Sequence, residues 1–320
     1  MKRILAAAAC AAALLGGIVA PTEAATKKTI GLAVPSLTSS FWISAVYGAE
    51  HEAAKDGVSL IKLNAGGDAN ASQQISQIQD LIQRKVDAII VGATNGEAVA
   101  AVVNRAAQRG IPVVGLSSPP QTTHLVSVVS ADHYDMGRLQ AQCLAKAMGD
   151  KGNVAMLAGP SGQSWADMRA KGFKETLAKD APTMKIVAES HLADNRNAAL
   201  TVAEDWVQRF PALNGVYTAT DDMAAGAISA FKNAGRQNDV KVSTSNLSPT
   251  AQDLLKQGAL VCTSIQQVVA QGRAALDQAV AAANHQAVTK EVVLPALLVT
   301  PENLATVDLS AVTAPASYRP

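Results

Sequence analysis

The stretch QQISQIQDLIQRKVDAIIV, residues 73–91, contains the pattern on which the fold depends. Ile75, Ile78 and Ile82 recur at spacings of three and four residues, which predicts a helix with one apolar face over 73–83. A short apolar run follows at 88–91, and such runs are typical of buried strands. The stretch therefore predicts a helix packed beside a buried strand, which is the repeating unit of an α/β layer.

The same alternation of short apolar runs and helix-length intervals continues along nearly the whole chain. Alternation of this kind predicts parallel sheets that are covered by helices on both faces. About ten strands exceed what one strongly twisted open sheet usually carries, so we expect two sheets. The predicted strands lie at 29–34, 58–63, 88–91, 112–116, 125–129, 154–157, 185–188, 215–218, 240–244 and 259–264.

A polar loop interrupts this rhythm once. Residues 117–123 read SSPPQTT, a composition typical of turns, and a second series of strand and helix units begins after residue 130. The expected fold class is therefore α/β, with two doubly wound parallel-sheet lobes and a ligand cleft between them.

The first 24 residues are interpreted as a secretory signal peptide. Lys2 and Arg3 provide a charged start, residues 4–20 are apolar, and small residues precede Ala25. A membrane anchor is the alternative, because the apolar run approaches the length of a spanning helix. Lipid attachment at Cys10 is disfavoured, since too little apolar sequence precedes it. We therefore expect a soluble, exported protein that is located in the periplasm.

The balance of charge excludes one class of partner. The 27 Lys and Arg residues nearly equal the 26 Asp and Glu residues, which leaves no general basic surface for nucleic acid. The five His residues lack metal-site spacing, so neither a metal nor a cofactor is expected. Cys143 and Cys262 could form a disulfide in an exported protein, but two buried free thiols are the favoured interpretation.

Sequence motifs of common enzymes are absent. The chain contains no Gly-x-Ser-x-Gly nucleophile elbow, no Gly-x-x-x-x-Gly-Lys-Ser/Thr phosphate loop and no Gly-x-Gly-x-x-Gly turn after a strand. Asp221 and Asp222 could serve as paired acids, but a cap and first turn of a helix are the favoured interpretation. We therefore expect a binding protein, and a secreted α/β enzyme remains the less favoured alternative.

Two adjacent aromatic residues point to a binding site. Phe41 and Trp42 begin a predicted helix, and neighbours about 100° apart on a helix cannot both face one core stripe. We therefore expect one ring in the cleft, where aromatic faces suit sugars or alkylated ammonium groups. Trp165 follows a turn in the second lobe, and its ring could likewise face the cleft or belong to the core. The alternative is that these rings belong to the core.

Acidic residues after strands give a second indication of a site. Asp167, Asp194 and Asp221 follow strands of the second lobe, where ligands of open parallel sheets bind. A carboxylate there can accept hydrogen bonds from hydroxyl groups or attract a cation. Each of these acids could instead be a solvated loop or capping residue.

Five motifs occur in this order along the chain: DAIIV at 87–91, GIPVV at 110–114, KGF at 171–173, DDMAAGA at 221–227 and SIQQ at 264–267. They resemble the motifs of type I periplasmic binding proteins, the superfamily of ribose-binding proteins. This resemblance implies two lobes joined by three crossovers near Ser130, Gln266 and Val292. It also implies a first lobe of 26–130 plus 268–290 and a second lobe of 131–267 plus 291–320.

A narrower likeness is to the TorT group of periplasmic sensors, carried by PSL at 35–37, FWIS at 41–44 and LVTPEN at 298–303. It implies binding of trimethylamine N-oxide and signalling through a membrane sensor histidine kinase. The chain departs from ribose binders at Ser117 and Ser118, where they carry an Asp-Arg pair. The alternative function is the substrate-binding component of a sugar-type ABC transporter, which would deliver its ligand to a permease.

The predicted function is therefore a solute-binding protein that closes on a small polar ligand and presents it to a membrane partner. We expect Trp42→Ala to abolish ligand binding and to leave the stability of the free protein nearly unchanged. The predicted ligand-binding residues are Ser39, Phe41, Trp42, Ser117, His133, Trp165, Asp167, Asp194, Thr220, Asn246 and Gln266.

Overall fold

The computed structural model describes residues 27–320, so the predicted signal peptide at 1–24 and the lipid attachment considered at Cys10 lie outside the described residues. Within the described range, no helix is long and apolar enough to cross a membrane. The strands are β1 Thr29–Val34, β2 Ser59–Asn64, β3 Ala88–Val91, β4 Val113–Leu116, β5 Ser127–Ala131, β6 Gly152–Gly159, β7 Met184–His191, β8 Leu213–Thr218, β9 Lys241–Ser245, β10 Cys262–Ile265, β11 Glu291–Leu294 and β12 Leu297–Val299. The helices are α1 Ser40–Lys55, α2 Ala71–Gln83, α3 Gly96–Gln108, α4 His133–Met148, α5 Ser164–Asp180, α6 Arg196–Arg209, α7 Asp221–Asn233, α8 Pro249–Lys256 and α9 Val268–Ala283.

These strands form two six-stranded sheets, one in each lobe. The first has the order β11-β5-β4-β3-β1-β2, and all its strands are parallel. The second has the order β12-β10-β9-β8-β6-β7 and is parallel except that β12 runs antiparallel to β10. The predicted fold class, two doubly wound α/β lobes, is confirmed. In each sheet the strand order reverses beside the strand that comes first along the chain, which is β1 in the first sheet and β6 in the second. Such a reversal places a binding crevice at the carboxyl ends of the strands.

The stretch at 73–91 folds as its pattern predicts. Helix α2 buries Ile78, Leu81 and Ile82, while every residue of β3 is buried. Gly31 of β1 accommodates this helix, because a Cβ atom there would lie 2.4 Å from a methyl carbon of Leu81. The close approach of helix and sheet therefore depends on one missing side chain.

The described crossovers correct the lobe boundaries drawn from the sequence. Residues 291–294 form β11, which pairs with β5 in the first sheet, so the chain returns to the second lobe only with β12. The C-terminal segment then contacts both lobes. Val312 is buried in the core of the second lobe, whereas Ala314 and Tyr318 hydrogen-bond to Ser44 and Glu50 of α1.

A disulfide joins Cys143 of α4 to Cys262 of β10, with 6.6 Å between the two Cα atoms. The favoured interpretation of two free thiols is therefore wrong. Helix α4 packs against β9 and β10, and this packing brings together two residues that are 119 positions apart in the sequence. Such a bond is expected in a protein exported to an oxidising compartment.

Candidate functional site

The carboxyl ends of the two sheets face each other across a cleft, and the lobes touch there. Gln163, which follows β6, donates a hydrogen bond from Nε2 to the carbonyl oxygen of Thr94, which follows β3, at 3.3 Å. Asp68 of the first lobe also lies close enough to Asp194 of the second to raise its pKa. The structure therefore describes lobes that are in contact around the cleft.

Loops held by buried polar side chains form the wall of the cleft on the first lobe. Gln74 of α2 donates to the carbonyl oxygen of Gly92 at 2.7 Å and accepts from the backbone N–H of Thr94 at 2.8 Å. Ser117 follows β4 in the left-handed region, with a φ of 60°, and its N–H donates to Val129. These bonds fix the turns after β3 and β4 at the edge of the cleft.

The two adjacent aromatic rings of α1 lie in different places, one in the core and one at the edge of the cleft. The rings of Phe41 and Trp42 meet edge to face with 4.9 Å between centroids. Trp42 is only 8% exposed and belongs to the first-lobe core, where a Cβ atom at Gly92 would lie 2.3 Å from its ring. Phe41 is half-buried, and Ser39 precedes the helix without a side-chain capping bond.

The burial of Trp42 corrects one expectation. Removing a ring that fills a core leaves a cavity, so Trp42→Ala must lower the stability of the free protein. This burial favours the core interpretation of Trp42 over the expectation of an unchanged stability. Trp42 supports the cleft from below, and Phe41 is the ring of this pair that is more accessible to a ligand.

Arg169 is the central charged residue of the second lobe, and sequence reasoning missed it. Its side chain is 2% exposed. Its guanidinium donates to the carbonyl oxygen of Ala219 at 2.7 Å and to Nδ1 of His133 at 3.3 Å, and it lies 4.9 Å from the ring centroid of Trp165. Burial lowers the pKa of Arg169 to about 10, so it stays protonated at neutral pH. A spacing of four residues from Trp165 on α5 was the available signal.

His133 begins α4 directly after the crossover from β5. Burial and then the charge of Arg169 lower its pKa to about 3, so its ring is neutral at physiological pH. Its Nε2 atom is buried and has no hydrogen-bond partner among residues 27–320.

Asp194 and Asp221 provide carboxylate oxygens on the second lobe. Asp194 accepts a hydrogen bond from Thr220, which also caps α7 by accepting from the N–H of Met223. Burial, together with the neighbouring charges of Asp222, Asp221 and Asp68, raises the pKa of Asp194 to about 7, although the hydrogen bond from Thr220 opposes this rise. Burial also raises the pKa of Asp221, which accepts from the N–H of Ser248 at 2.8 Å.

Three carboxamides form a chain at the second crossover. Gln271 of α9 donates to Oε1 of Gln266 at 3.1 Å, and Gln266 donates to Oδ1 of Asn246 at 3.1 Å. Asn246 follows β9 in the left-handed region, with a φ of 72°. The predicted residues Asn246 and Gln266 are thus in direct contact, and the carboxamides connect the two lobes.

Asp167 lies apart from the other predicted residues. It is exposed in the first turn of α5, and it borders a shallow surface depression with Lys171 and His191 beside the edge strand β7. Residues two positions apart on a helix point about 200° away from each other, so Asp167 and Arg169 cannot both face the same side. The predicted residues at the carboxyl ends of the strands are Ser117, His133, Trp165, Asp194, Thr220, Asn246 and Gln266.

Comparison with known proteins identifies the family. Residues 30–287 match the family described as "Periplasmic binding protein domain". The chain belongs to this family. Its relatives are named as binding proteins, and the family description refers to the periplasm.

Three relatives illustrate the likeness of this periplasmic binding protein. The ribose import binding protein RbsB of Bacillus subtilis is 32% identical over 68% of this chain and 70% of its own. A putative rhizopine-binding protein of Rhizobium meliloti is 30% identical over 91% of this chain and 96% of its own. The structure of a solute-binding protein of an ABC transporter from Actinobacillus succinogenes, with bound D-allose, is 30% identical, with a TM-score of 0.83 over 88% of this chain and 100% of its own.

Proposed function

We propose that this protein is the substrate-binding component of an ABC importer and that it closes on a small sugar or polyol. One observation carries the proposal: hydrogen-bonding groups at the facing ends of both sheets surround a cleft that also has aromatic edges. Sugar hydroxyls donate to carboxylates and accept from amides, while aromatic rings suit their C–H faces.

The second lobe provides most of the polar groups for such a ligand. Asp194 and Asp221 are acceptors for hydroxyl groups, and Asn246 has an amide nitrogen that is not used in its bond to Gln266. The first lobe adds the half-buried ring of Phe41. Closure of the lobes would bring both sets of groups into contact with the ligand at once. The ligand would then bind the closed state more tightly than the open state, and this difference in affinity would favour closure.

Relatives support transport better than sensing. The names of the Bacillus subtilis and Actinobacillus succinogenes proteins refer to ribose import and to an ABC transporter with bound D-allose. Sensing of trimethylamine N-oxide through a histidine kinase gains no similar support, because Trp42 lies in the core and Asn246 and His133 are polar where a cage would need apolar rings. We therefore assign the membrane partner as an ABC permease.

Calorimetric titration and thermal unfolding with D-ribose, D-allose, myo-inositol, xylitol and trimethylamine N-oxide test the proposal. We expect one or more of the polyols to bind and to stabilise the protein, by about 2.7 kcal/mol at a concentration 100 times Kd. Binding of trimethylamine N-oxide alone would overturn the proposal in favour of sensing. Absence of binding to any polyol, together with hydrolytic activity on glycosides, would overturn it in favour of an enzyme.

A transport assay tests the membrane partner. Deletion of the gene should abolish cellular uptake of the radiolabelled polyol that binds in calorimetry, and expression of the intact chain should restore it. Normal uptake in the deletion strain, combined with loss of a transcriptional response to the same compound, would contradict the assignment of a permease.

A further inference from the structure

The C-terminal segment is anchored in the second lobe as far as Val312. This side chain is 3% exposed and belongs to the apolar core of that lobe, against which Leu304, Val307 and Leu309 also pack. Strand β12 fixes the start of the same segment, because it pairs with β10 in the second sheet. Up to residue 312 the segment must therefore move with the second lobe.

Two residues later the segment is anchored in the first lobe. The backbone N–H of Ala314 donates to Oγ of Ser44 on α1 at 3.0 Å. Ser44 is 4% exposed, and its hydroxyl donates in turn to the carbonyl oxygen of Ser40 at 2.8 Å, which fixes the direction of the acceptor. Two residues of extended chain span at most about 7 Å. The anchors at Val312 and Ala314 therefore cannot move far apart unless one of them breaks.

Tyr318 provides a second anchor on the first lobe. Its ring meets that of Tyr47 on α1 edge to face, with 4.9 Å between centroids, and its hydroxyl donates to Oε2 of Glu50. The other oxygen of Glu50 accepts from Nζ of Lys62 on β2 at 2.9 Å. Tyr318 is half-buried, whereas residues 315–317 just before it are exposed. The segment thus makes a specific contact with α1 through one aromatic side chain.

We propose that residues 313–320 form a strap that ties the second lobe to α1 and favours the arrangement in which the lobes are in contact. The strap is a fourth connection between the lobes, and unlike the three crossovers it can be released. Gln163 and Thr94 touch across the cleft in the same structure, so the strap contacts belong to the closed arrangement. Rotation that separates the lobes must break the bond of Ala314 or lift Val312 out of its core. The strap therefore raises the population of the state that a ligand would select.

Small-angle X-ray scattering of the ligand-free protein tests the strap. Deletion of 313–320 keeps Val312 in its core, and we expect it to lower the ratio of closed to open protein about fivefold. Tyr318→Phe retains the ring contact and loses the bond to Glu50, so its shift should be smaller. Arg319→Ala is the matched control, since this side chain donates to carbonyl oxygens within the segment itself.

The scattering measurement can contradict the proposal in two ways. A ligand-free wild-type protein with fully open lobes would overturn it, because the strap would then not hold the lobes together. A deletion variant with the same closed fraction as the wild-type protein would also overturn it. If that variant has a lower Tm and an unchanged closed fraction, the segment stabilises α1 without controlling the lobes.

A ligand measurement examines the same preference, and this part rests on the proposed function. With D-ribose, D-allose and myo-inositol as probes, we expect deletion of 313–320 to weaken calorimetric binding by up to about fivefold. Tighter binding in the deletion variant would show that the segment holds the lobes apart, and would overturn the proposal. Failure of the wild-type protein to bind any polyol would instead overturn the proposed function, and scattering would still decide on the strap.

Discussion

The first and second lobes have the same strand order but enclose different side chains. The first lobe has an apolar cluster on each face of its sheet, and Trp42 fills one of them below the cleft. The second lobe buries Arg169 together with a polar group in which Gln140 donates to Ser245 at 2.7 Å and Ser245 contacts Ser264 at 2.9 Å. One architecture can therefore serve two purposes: the first lobe provides shape, and the second provides charge and hydrogen bonds.

Removal of the disulfide should lower the stability of the protein most, and it should affect the second lobe more than the first. The double variant Cys143→Ala/Cys262→Ala should lower the free energy of unfolding by about 4 to 5 kcal/mol, because the bond closes a long loop in the unfolded chain. Denaturant unfolding measures the loss, and amide hydrogen exchange locates it. We expect faster exchange in β8 to β10 and little change in β1 to β4. Equal changes in both lobes would contradict the view that the bond acts on the second lobe alone.

Trp42→Ala should have the next largest effect and act on the other lobe. The cavity left by the ring should lower the free energy of unfolding by about 3 to 5 kcal/mol. Phe41→Ala is the matched control, since that ring is half-buried and should cost less than half as much. If thermal unfolding shows that Phe41→Ala costs more than Trp42→Ala, the assignment of Trp42 to the core is wrong.

Substitution of two aspartates of the second lobe should distinguish a residue of the cleft from a residue of the outer surface. Above its pKa of about 7, Asp194 is a charged acceptor, and hydrogen bonds to charged groups contribute about 1.5 to 3 kcal/mol. Asp194→Asn should therefore weaken binding of the polyol about tenfold at a pH above that value. Asp167→Asn should change the affinity less than about twofold, since this exposed residue borders the outer depression. Calorimetric titration of both variants gives the comparison. Equal losses would place Asp167 in the site after all.

The pH dependence of stability should show the smallest effect. The pKa of Asp194 is raised to about 7 in the folded protein. The folded state therefore binds this proton more tightly than the unfolded state does, and its stabilising contribution is lost as pH rises from about 4 to about 7. Wild-type protein should lose thermal stability over that interval relative to Asp194→Asn. Parallel curves of Tm against pH for the two proteins would refute this assignment.

The sequence pattern predicted the fold well because buried strands need continuous apolar runs. All ten predicted strands are present within three residues of their predicted ends. The short edge strands β11 and β12 were missed, since they flank Pro295 and are only partly buried. Edge strands carry a weak apolar pattern, which is why the lobe boundary at residue 291 was placed too early.

The site was harder to predict than the fold. The residues at strand ends could be located, because parallel strands place their carboxyl ends at one edge of a sheet. Asp167 was selected in place of Arg169, since a charged residue is expected at the surface unless a partner compensates its burial. Those partners, His133 and the carbonyl oxygen of Ala219, lie 36 and 50 residues away in the sequence. Long-range pairings of this kind leave no local signal.

The return of the chain to the first lobe has a consequence for the order of folding. Ser127 of β5 donates to the carbonyl oxygen of Thr289, 162 residues later, and β11 completes the same sheet. The first lobe thus cannot finish its sheet until almost the whole chain has been synthesised. Most of the second lobe, from α4 to β10, is contiguous and forms contacts at shorter separation. Because loop closure over long separations slows folding, the second lobe should fold first.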